Sequence, residues 1–371
     1  MKKLSVYVHI PFCASKCSYC DFLSFAGCSK NLLEGYADAL IKEIDRAAAE
    51  FTDYKTDTVF FGGGTPTFLP AVNLVKTLDA LREPYHIVED AEITTEANPE
   101  SLDFDKLGEL RAGGFNRLSI GVQSFDDTLL SCIGRIHSSG KARQSFEDAR
   151  RAGFDNINLD LMFSLPGQDI GDWERTLDEA CSLDPEHISC YSLTLEPGTR
   201  LGDEGCNQDE DADRAMYALA KEKLIAAGYE HYEISNFAKP GYRCRHNLIY
   251  WTGYEYRGFG LGAHSLTDGV RWHNETDLNA YIKSAGKGGR LNQEPLRERD
   301  LISEFMFLGL RLIDGINCEV FLDKFDKNIY EVYGDQLNSL INRGLIERDA
   351  ERIKLTSRGL DIANKVFIEF I

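Results

Sequence analysis

The sequence contains no run of about eighteen apolar residues, so no membrane-spanning helix is predicted. Met1-Lys2-Lys3 leads into a short strand-like segment, not a secretory signal, and a cytoplasmic protein is expected. Basic charge is scarce: 41 Lys and Arg face 60 Asp and Glu, a formal net charge of −19. That deficit excludes nucleic-acid binding driven by phosphate contacts, which needs a basic face. It also implies that any membrane contact runs through a protein partner, not anionic lipid. The one basic cluster, residues 290–299, reads as a solvated linker. Histidine and tryptophan are rare, with eight and three copies, so a place where they meet stands out.

What remains is an ordinary soluble composition, 43% hydrophobic and 27% charged, over 371 residues, enough for two or three domains. Seven of the ten cysteines are scattered (Cys28, Cys132, Cys181, Cys190, Cys206, Cys244 and Cys318) and are expected to stay reduced. The other three are not scattered. Cys13, Cys17 and Cys20 follow the apolar run 4–10 at C-x3-C-x2-C spacing. On one short loop, three such thiolates reach three irons of a [4Fe–4S] cube, which is usually held by four. The chain continues Asp21-Phe22-Leu23-Ser24 with no fourth close cysteine, so one iron is left for a non-protein ligand. An open coordination position is what reactive metal sites keep. Structural zinc is the competing reading, with His9 or Cys28 as the fourth ligand, though the spacing lacks paired C-x2-C knuckles.

Apolar strand candidates recur at 4–10, 58–61, 92–96, 117–122, 156–162 and 187–195, alternating with amphipathic stretches at 32–51, 71–82, 105–112, 141–152 and 173–183. That alternation predicts parallel strands joined by right-handed crossovers. Six units are too few for a closed eight-stranded barrel and predict an α/β partial (β/α)6 barrel over residues 1–200. In such folds chemistry sits at the C-terminal ends of strands. Polar residues occupy those ends here: the turn Gly62-Gly63-Gly64-Thr65-Pro66, then Glu96, Gln123 and Asp160. Each alone has an ordinary role in capping the next helix. Their succession above a cysteine loop favours a common site, with Arg135 as a fixed cation for a carboxylate.

Beyond residue 200 the rhythm breaks. An acidic, turn-rich stretch (202–213) and a helix (213–227) precede an aromatic and glycine-rich segment (229–272), then a linker at 284–293. We delimit an extension at 201–290 and a C-terminal domain at 291–371, where helix 336–343 and the segments 344–347 and 352–355 predict a small winged helix. Glu347, Asp349 and Glu351 in its wing point to packing or partner contact, not DNA. Within the extension stand His246, Tyr250 and Trp251. Histidine and tyrosine are ligands of haem iron, and aromatic rings supply flat apolar faces for a porphyrin. A histidine among aromatics is equally at home as a hydrogen-bonded packing residue.

Taken together, these strings resemble the radical S-adenosylmethionine (SAM) superfamily, in the branch similar to oxygen-independent coproporphyrinogen III oxidase. The carriers are Tyr7-Val-His-Ile-Pro-Phe-Cys13, Lys16-Cys17, Tyr19-Cys20-Asp21-Phe22, Gly62-Gly-Gly-Thr-Pro-Thr67, Glu96-Ala-Asn-Pro99, Gly121-Val-Gln-Ser-Phe125, Asp160-Leu-Met-Phe and Gly260-Leu-Gly-Ala-His264. The resemblance spans nearly the whole chain. It implies Cys13, Cys17 and Cys20 as cluster ligands and Tyr7, Gly63, Gly64, Thr65, Glu96, Gln123, Arg135 and Asp160 as the SAM pocket. It also implies one-electron cleavage of SAM to methionine and a deoxyadenosyl radical. Two departures separate the chain from the oxidase pattern. Phe22 stands where the oxidase has a further cysteine, and only twelve residues precede Cys13. His246-Asn-x-x-Tyr250-Trp251 resembles the haem-binding motif of haem chaperones in this branch. The expected function is therefore haem carriage to haem-dependent respiratory enzymes, with porphyrinogen decarboxylation as the alternative. Haem is then the cargo of His246, Tyr250 and Trp251, with His246 as the expected iron ligand or haem contact, and a homodimer is compatible with this reading.

Overall fold

The computed structural model describes residues 1–205, 209–287, 289–349 and 351–371. Cys206 therefore lies outside the described residues, as do parts of the acidic stretch 202–213 and of the linker 284–293. Six strands run in sequence order side by side: β1 (Lys2–Ile10), β2 (Tyr54–Gly63), β3 (Ile87–Ala97), β4 (Arg117–Gln123), β5 (Ile157–Phe163) and β6 (His187–Ser192). Each pairs in parallel with the next. Such strands are covered on both faces, which explains why β4 is buried at every position. Crossover helices cover the outside: α1 (Lys30–Ala47), α2 (Ala71–Arg82), α3 (Phe104–Ala112), α4 (Ser139–Arg151) and α5 (Ile170–Leu183). In α1, Leu33, Tyr36, Leu40 and Ile44 recur at helical spacing and form the face buried on the sheet. Ser29, Asp103, Ser138 and Asp169 start α1, α3, α4 and α5 by accepting a backbone N–H.

The open partial barrel expected from the sequence is larger than six strands. After helix α6 (Glu210–Ala226) come β7 (Glu230–Glu233), β8 (Asn236–Ala238), helix α7 (Arg245–Thr252), β9 (Tyr256–Phe259), β10 (His264–Thr267), β11 (Val270–His273) and β12 (Leu291–Pro295). The sheet order is β12-β11-β10-β9-β1-β2-β3-β4-β5-β6-β8-β7. Strand β9 lies parallel to β1, with Tyr7 opposite Gly258, and is a seventh parallel strand. The outer strands are antiparallel. The expected linker needs correction, because Leu291–Pro295 pairs with β11 through Arg271 and Glu294. The basic cluster is likewise not simply solvated: Arg290 ion-pairs with Glu50 and stands 4.3 Å over the Trp272 ring.

A buried ion pair ties this flank to the barrel. Glu43 of α1 meets Arg257 of β9 at 3.0 Å and accepts from Tyr281 Oη at 2.6 Å, Asn274 Nδ2 at 2.9 Å and Gly260 N at 3.0 Å. Burial raises the Glu43 carboxyl, and the guanidinium opposes that shift. The C-terminal domain has its own core, with Met306, Phe321, Leu337, Leu340, Ile353 and Val366 inaccessible. Helices α8 (Glu298–Gly309), α9 (Cys318–Phe325) and α10 (Ile329–Asn342) precede a hairpin of β14 (Ile346–Arg348) and β15 (Arg352–Leu355), with β13 (Ile316–Asn317) on the far edge of β15. This is the winged-helix-like order expected from the sequence. No helix among the described residues is long and apolar enough to cross a membrane.

Candidate functional site

The cysteine loop leaves β1 and is closed at its base by parallel pairing of Phe12–Cys13 with Phe25–Ala26. The turn after β2 grips the same base: Gly64 N donates to Ile10 O at 2.9 Å and Thr65 N to Phe12 O at 2.7 Å. That grip explains the glycines. Gly63 adopts φ +112°, and a Cβ there would run into the His9 ring. A Cβ on Gly64 would stand 2.8 Å from Phe12 O and 3.0 Å from Cys13 Sγ.

Above the strand ends opens a cavity of about 550 Å³. Cys13, Cys17 and Cys20 line it, together with Gly63, Gly64, Thr65, Glu96, Gln123, Arg135 and Asp160. Of the residues expected there, only Tyr7 is not on its wall. The Tyr7 hydroxyl lies 3.1 Å from His9 Nδ1 and its ring stacks on Phe60 at 6.3 Å. Neither His9 nor Cys28 is on the wall, and His9 Nε2 is 3.0 Å from Leu23 O. Gln123 reaches the cavity through a slip in the β4–β5 register beside Gly121, where it takes φ +65°. Bulges of this kind re-aim side chains next to sites. Arg135 Nη1 stands 3.4 Å from Cys17 Sγ, while Nη2 donates to Asn98 Oδ1 at 2.9 Å and also to Gly121 O. Among the described residues no three His, Cys, Asp or Glu side chains gather closely enough to share one ion. A cubane makes no such demand, since each thiolate meets a different iron.

The cavity holds two half-buried carboxyls. Glu96 accepts from Gly63 N at 3.2 Å, and its pKa is pushed up to about 8 by burial and then by Asp160. Asp160 accepts from Ser119 Oγ at 2.8 Å and Asn158 Nδ2 at 2.9 Å, and burial raises it too. Two such groups in one low-dielectric space favour a cationic ligand. Asn98, Ser119 and Tyr191 also line the cavity and were not singled out from sequence. Asn98 had a signal, as the third residue of Glu96-Ala-Asn-Pro99; Ser119 and Tyr191 had none.

The residues His246, Tyr250 and Trp251 lie elsewhere, on helix α7 against the sheet. Glu92 of β3 starts this helix, accepting from Arg245 N and His246 N, both at 2.9 Å. His246 is only 2% exposed and lines neither cavity. Its ring stacks on Phe60 at 5.0 Å, with Nδ1 2.9 Å from Thr58 Oγ1 and Nε2 3.0 Å from Tyr250 Oη. Thr58 donates its own proton to Ser5 Oγ, so Nδ1 carries the imidazole hydrogen and Nε2 accepts from Tyr250. Burial, then the Arg117 charge, lower the His246 pKa to about 3, so the ring is neutral. With both nitrogens engaged, it presents no lone pair to a metal in this conformation.

Tyr250 and Trp251, in contrast, line a second cavity of about 410 Å³ between α7, the β9–β11 flank and the C-terminal domain. Its walls include Tyr254, Tyr256, Phe305 and Lys324. Tyr250 and Tyr256 meet edge to face at 5.0 Å, and the Arg311 guanidinium lies 4.4 Å over Trp251.

The radical SAM superfamily matches residues 7–180 and the HemN C-terminal domain residues 296–362. Heme chaperone HemW of Bacillus subtilis (strain 168) is 40% identical, covering 99% of each chain. That of Lactococcus lactis subsp. lactis (strain IL1403) is 37% identical over 100% of this chain and 98% of its own. Heme chaperone HemW of Escherichia coli (strain K12) is 35% identical over 99% and 98%. Among solved structures, coproporphyrinogen III oxidase (HemN) from Escherichia coli shares the fold, with a TM-score of 0.86, 24% identity, and coverage of 100% of this chain and 90% of that one. Membership of the superfamily implies a [4Fe–4S] cluster and SAM. On this full-length identity, supported by the arrangement of the barrel mouth, the chain belongs to the heme chaperone HemW family of radical SAM proteins.

Proposed function

We propose that this protein is a haem chaperone that carries haem and passes it to haem-dependent respiratory enzymes, with a [4Fe–4S] cluster and SAM in the barrel mouth. The observation that carries this reading is the position of Tyr250 and Trp251 on an aromatic-walled cavity separate from the cysteine loop. In it, haem lies against Tyr250 and Trp251. His246 acts through Tyr250, whose hydroxyl it holds.

The first cavity fits the cluster and SAM by the chemistry of its donors. Cys13, Cys17 and Cys20 would hold the cluster through three thiolates, and no other cysteine among the described residues lines the wall, which would leave the amino and carboxylate groups of SAM as the remaining ligand. When bound, the cluster supplies the single electron that cleaves SAM in this superfamily. Around it, Glu96 and Asp160 suit the ammonium and ribose hydroxyls, and Arg135 suits the carboxylate. Gly63, Gly64 and Thr65 let backbone approach closely, Gln123 completes the rim, and Tyr7 supports it from behind.

The test is haem titration of the cluster-loaded protein, alongside anaerobic incubation with coproporphyrinogen III, SAM and a strong reductant. Stoichiometric haem binding without protoporphyrin is expected. Protoporphyrin formation would instead make the protein a porphyrinogen oxidase.

A further inference from the structure

The second cavity has two cations on its wall, and they differ. Arg271 is neutralised, since Nη1 and Nη2 each donate to Glu304 at 2.7 Å. Lys324, from α9, has no ion-pair partner among the described residues. Its Nζ donates to Gly253 O at 2.6 Å and stands 5.4 Å from the Phe305 ring and 5.9 Å from the Tyr254 ring. An ammonium has three protons to donate, and a single carbonyl takes one; the side chain is exposed, so the others face water and are open to a ligand that displaces it. Trp251 adds a second under-used donor: its indole N–H is buried with no acceptor among the described residues. Buried donors are normally satisfied, so an orphan beside a cavity points to a missing acceptor. Aromatic walls with one buried orphan donor and one exposed, unpaired ammonium at the rim complement a flat apolar body that carries anionic groups at its edge.

We propose that Lys324 recognises a carboxylate of the bound porphyrin, pairing a propionate while the macrocycle lies along Tyr250, Trp251 and Phe305. This rests on the haem-carrier reading and adds a residue that neither the motif nor the barrel contains. It makes the C-terminal domain half of the haem site. Haem is held between two separately packed units, an arrangement suited to release when they shift.

The experiment compares the full-length wild type with Lys324→Gln and Lys324→Arg, each titrated with haemin and with haemin dimethyl ester, which has no free carboxylate. Binding is read from the porphyrin absorption band and from quenching of Trp251, with Trp251→Phe identifying that signal. Lys324→Gln is expected to weaken haemin binding about tenfold and to leave the ester unchanged, removing the wild-type preference for the acid. Lys324→Arg is expected to restore most of that preference. Equal weakening of both ligands would assign Lys324 a packing role and overturn the proposal. Unchanged haemin affinity in Lys324→Gln would overturn it too, leaving the carrier reading intact. Binding of neither ligand by the wild type would remove the carrier reading and the proposal together.

Discussion

The two cavities are built by opposite means. In the barrel mouth, polar side chains come from successive strand ends and are fixed by short backbone contacts, with Gly64 leaving no room for a methyl group. The second cavity is walled by rings from α7, the β9–β11 flank and α8, and Arg271 is clamped there to Glu304. On the proposed function, the first would hold a charged ligand in one pose and the second an apolar ligand that is passed on. A file of rings reaches the second cavity from Tyr7, which is off the wall of the first: Tyr7, Phe60, His246 and Tyr250 follow one another at 6.3, 5.0 and 5.3 Å.

The largest separation between the cavities is expected from Cys17→Ser. Cluster content, measured as iron and sulfide per chain, should fall to background while the fold and haem binding persist. Retained cluster would remove the cysteine loop from its role. Gly64→Ala comes next. Its new methyl would sit 2.8 Å from Phe12 O, so chemical denaturation should show a loss of about 1–3 kcal/mol, as overpacking does. A backbone cradle predicts that cost, and no loss would mean the turn is looser than its contacts imply. In the second cavity, Tyr250→Phe leaves His246 Nε2 without its donor. A loss of about 1 kcal/mol in stability is expected, together with a several-fold loss in haem affinity.

The subtlest test is pH. Glu96 has a folded pKa of about 8 against 4.5 in the unfolded chain. Below about pH 4.5 both states hold the proton, so the folded state loses nothing. From there to about pH 8 the unfolded chain ionises while Glu96 stays neutral, and stability falls as pH rises. Glu96→Gln should flatten that fall in denaturation midpoints measured without SAM, leaving the contributions of the other carboxyls that burial raises, Asp160, Glu43 and Glu233. Identical pH profiles would mean that Glu96 is already ionised in the folded protein.

The legibility of the chain follows the same division. Strands β1 to β6 could be read because their apolar runs are buried on both faces, and the cysteine loop and glycine turn because their chemistry is local. Strand β9 escaped because Arg257 and Gly258 interrupt its pattern, and β12 because all five of its residues are exposed. Asn98 was inside a recognised string, whereas Ser119 faces the cavity only through the pleat. Most of the second cavity was illegible: Phe305 and Lys324 share its wall with Trp251 through packing of a separate core, which leaves no spacing to read. His246 stood out by its rarity, yet its burial between Thr58, Phe60 and Tyr250 depends on long-range contacts.

The most direct measurement is a paired haem titration of Trp251→Ala and Cys17→Ser, with cluster content determined on the same samples. Division of labour between the cavities requires Trp251→Ala to lose at least tenfold in haem affinity with its cluster intact. It equally requires Cys17→Ser to lose the cluster and keep its haem. The reverse pattern, haem lost with the cluster and retained without Trp251, would place haem in the barrel mouth and contradict the assignment of cargo to the second cavity.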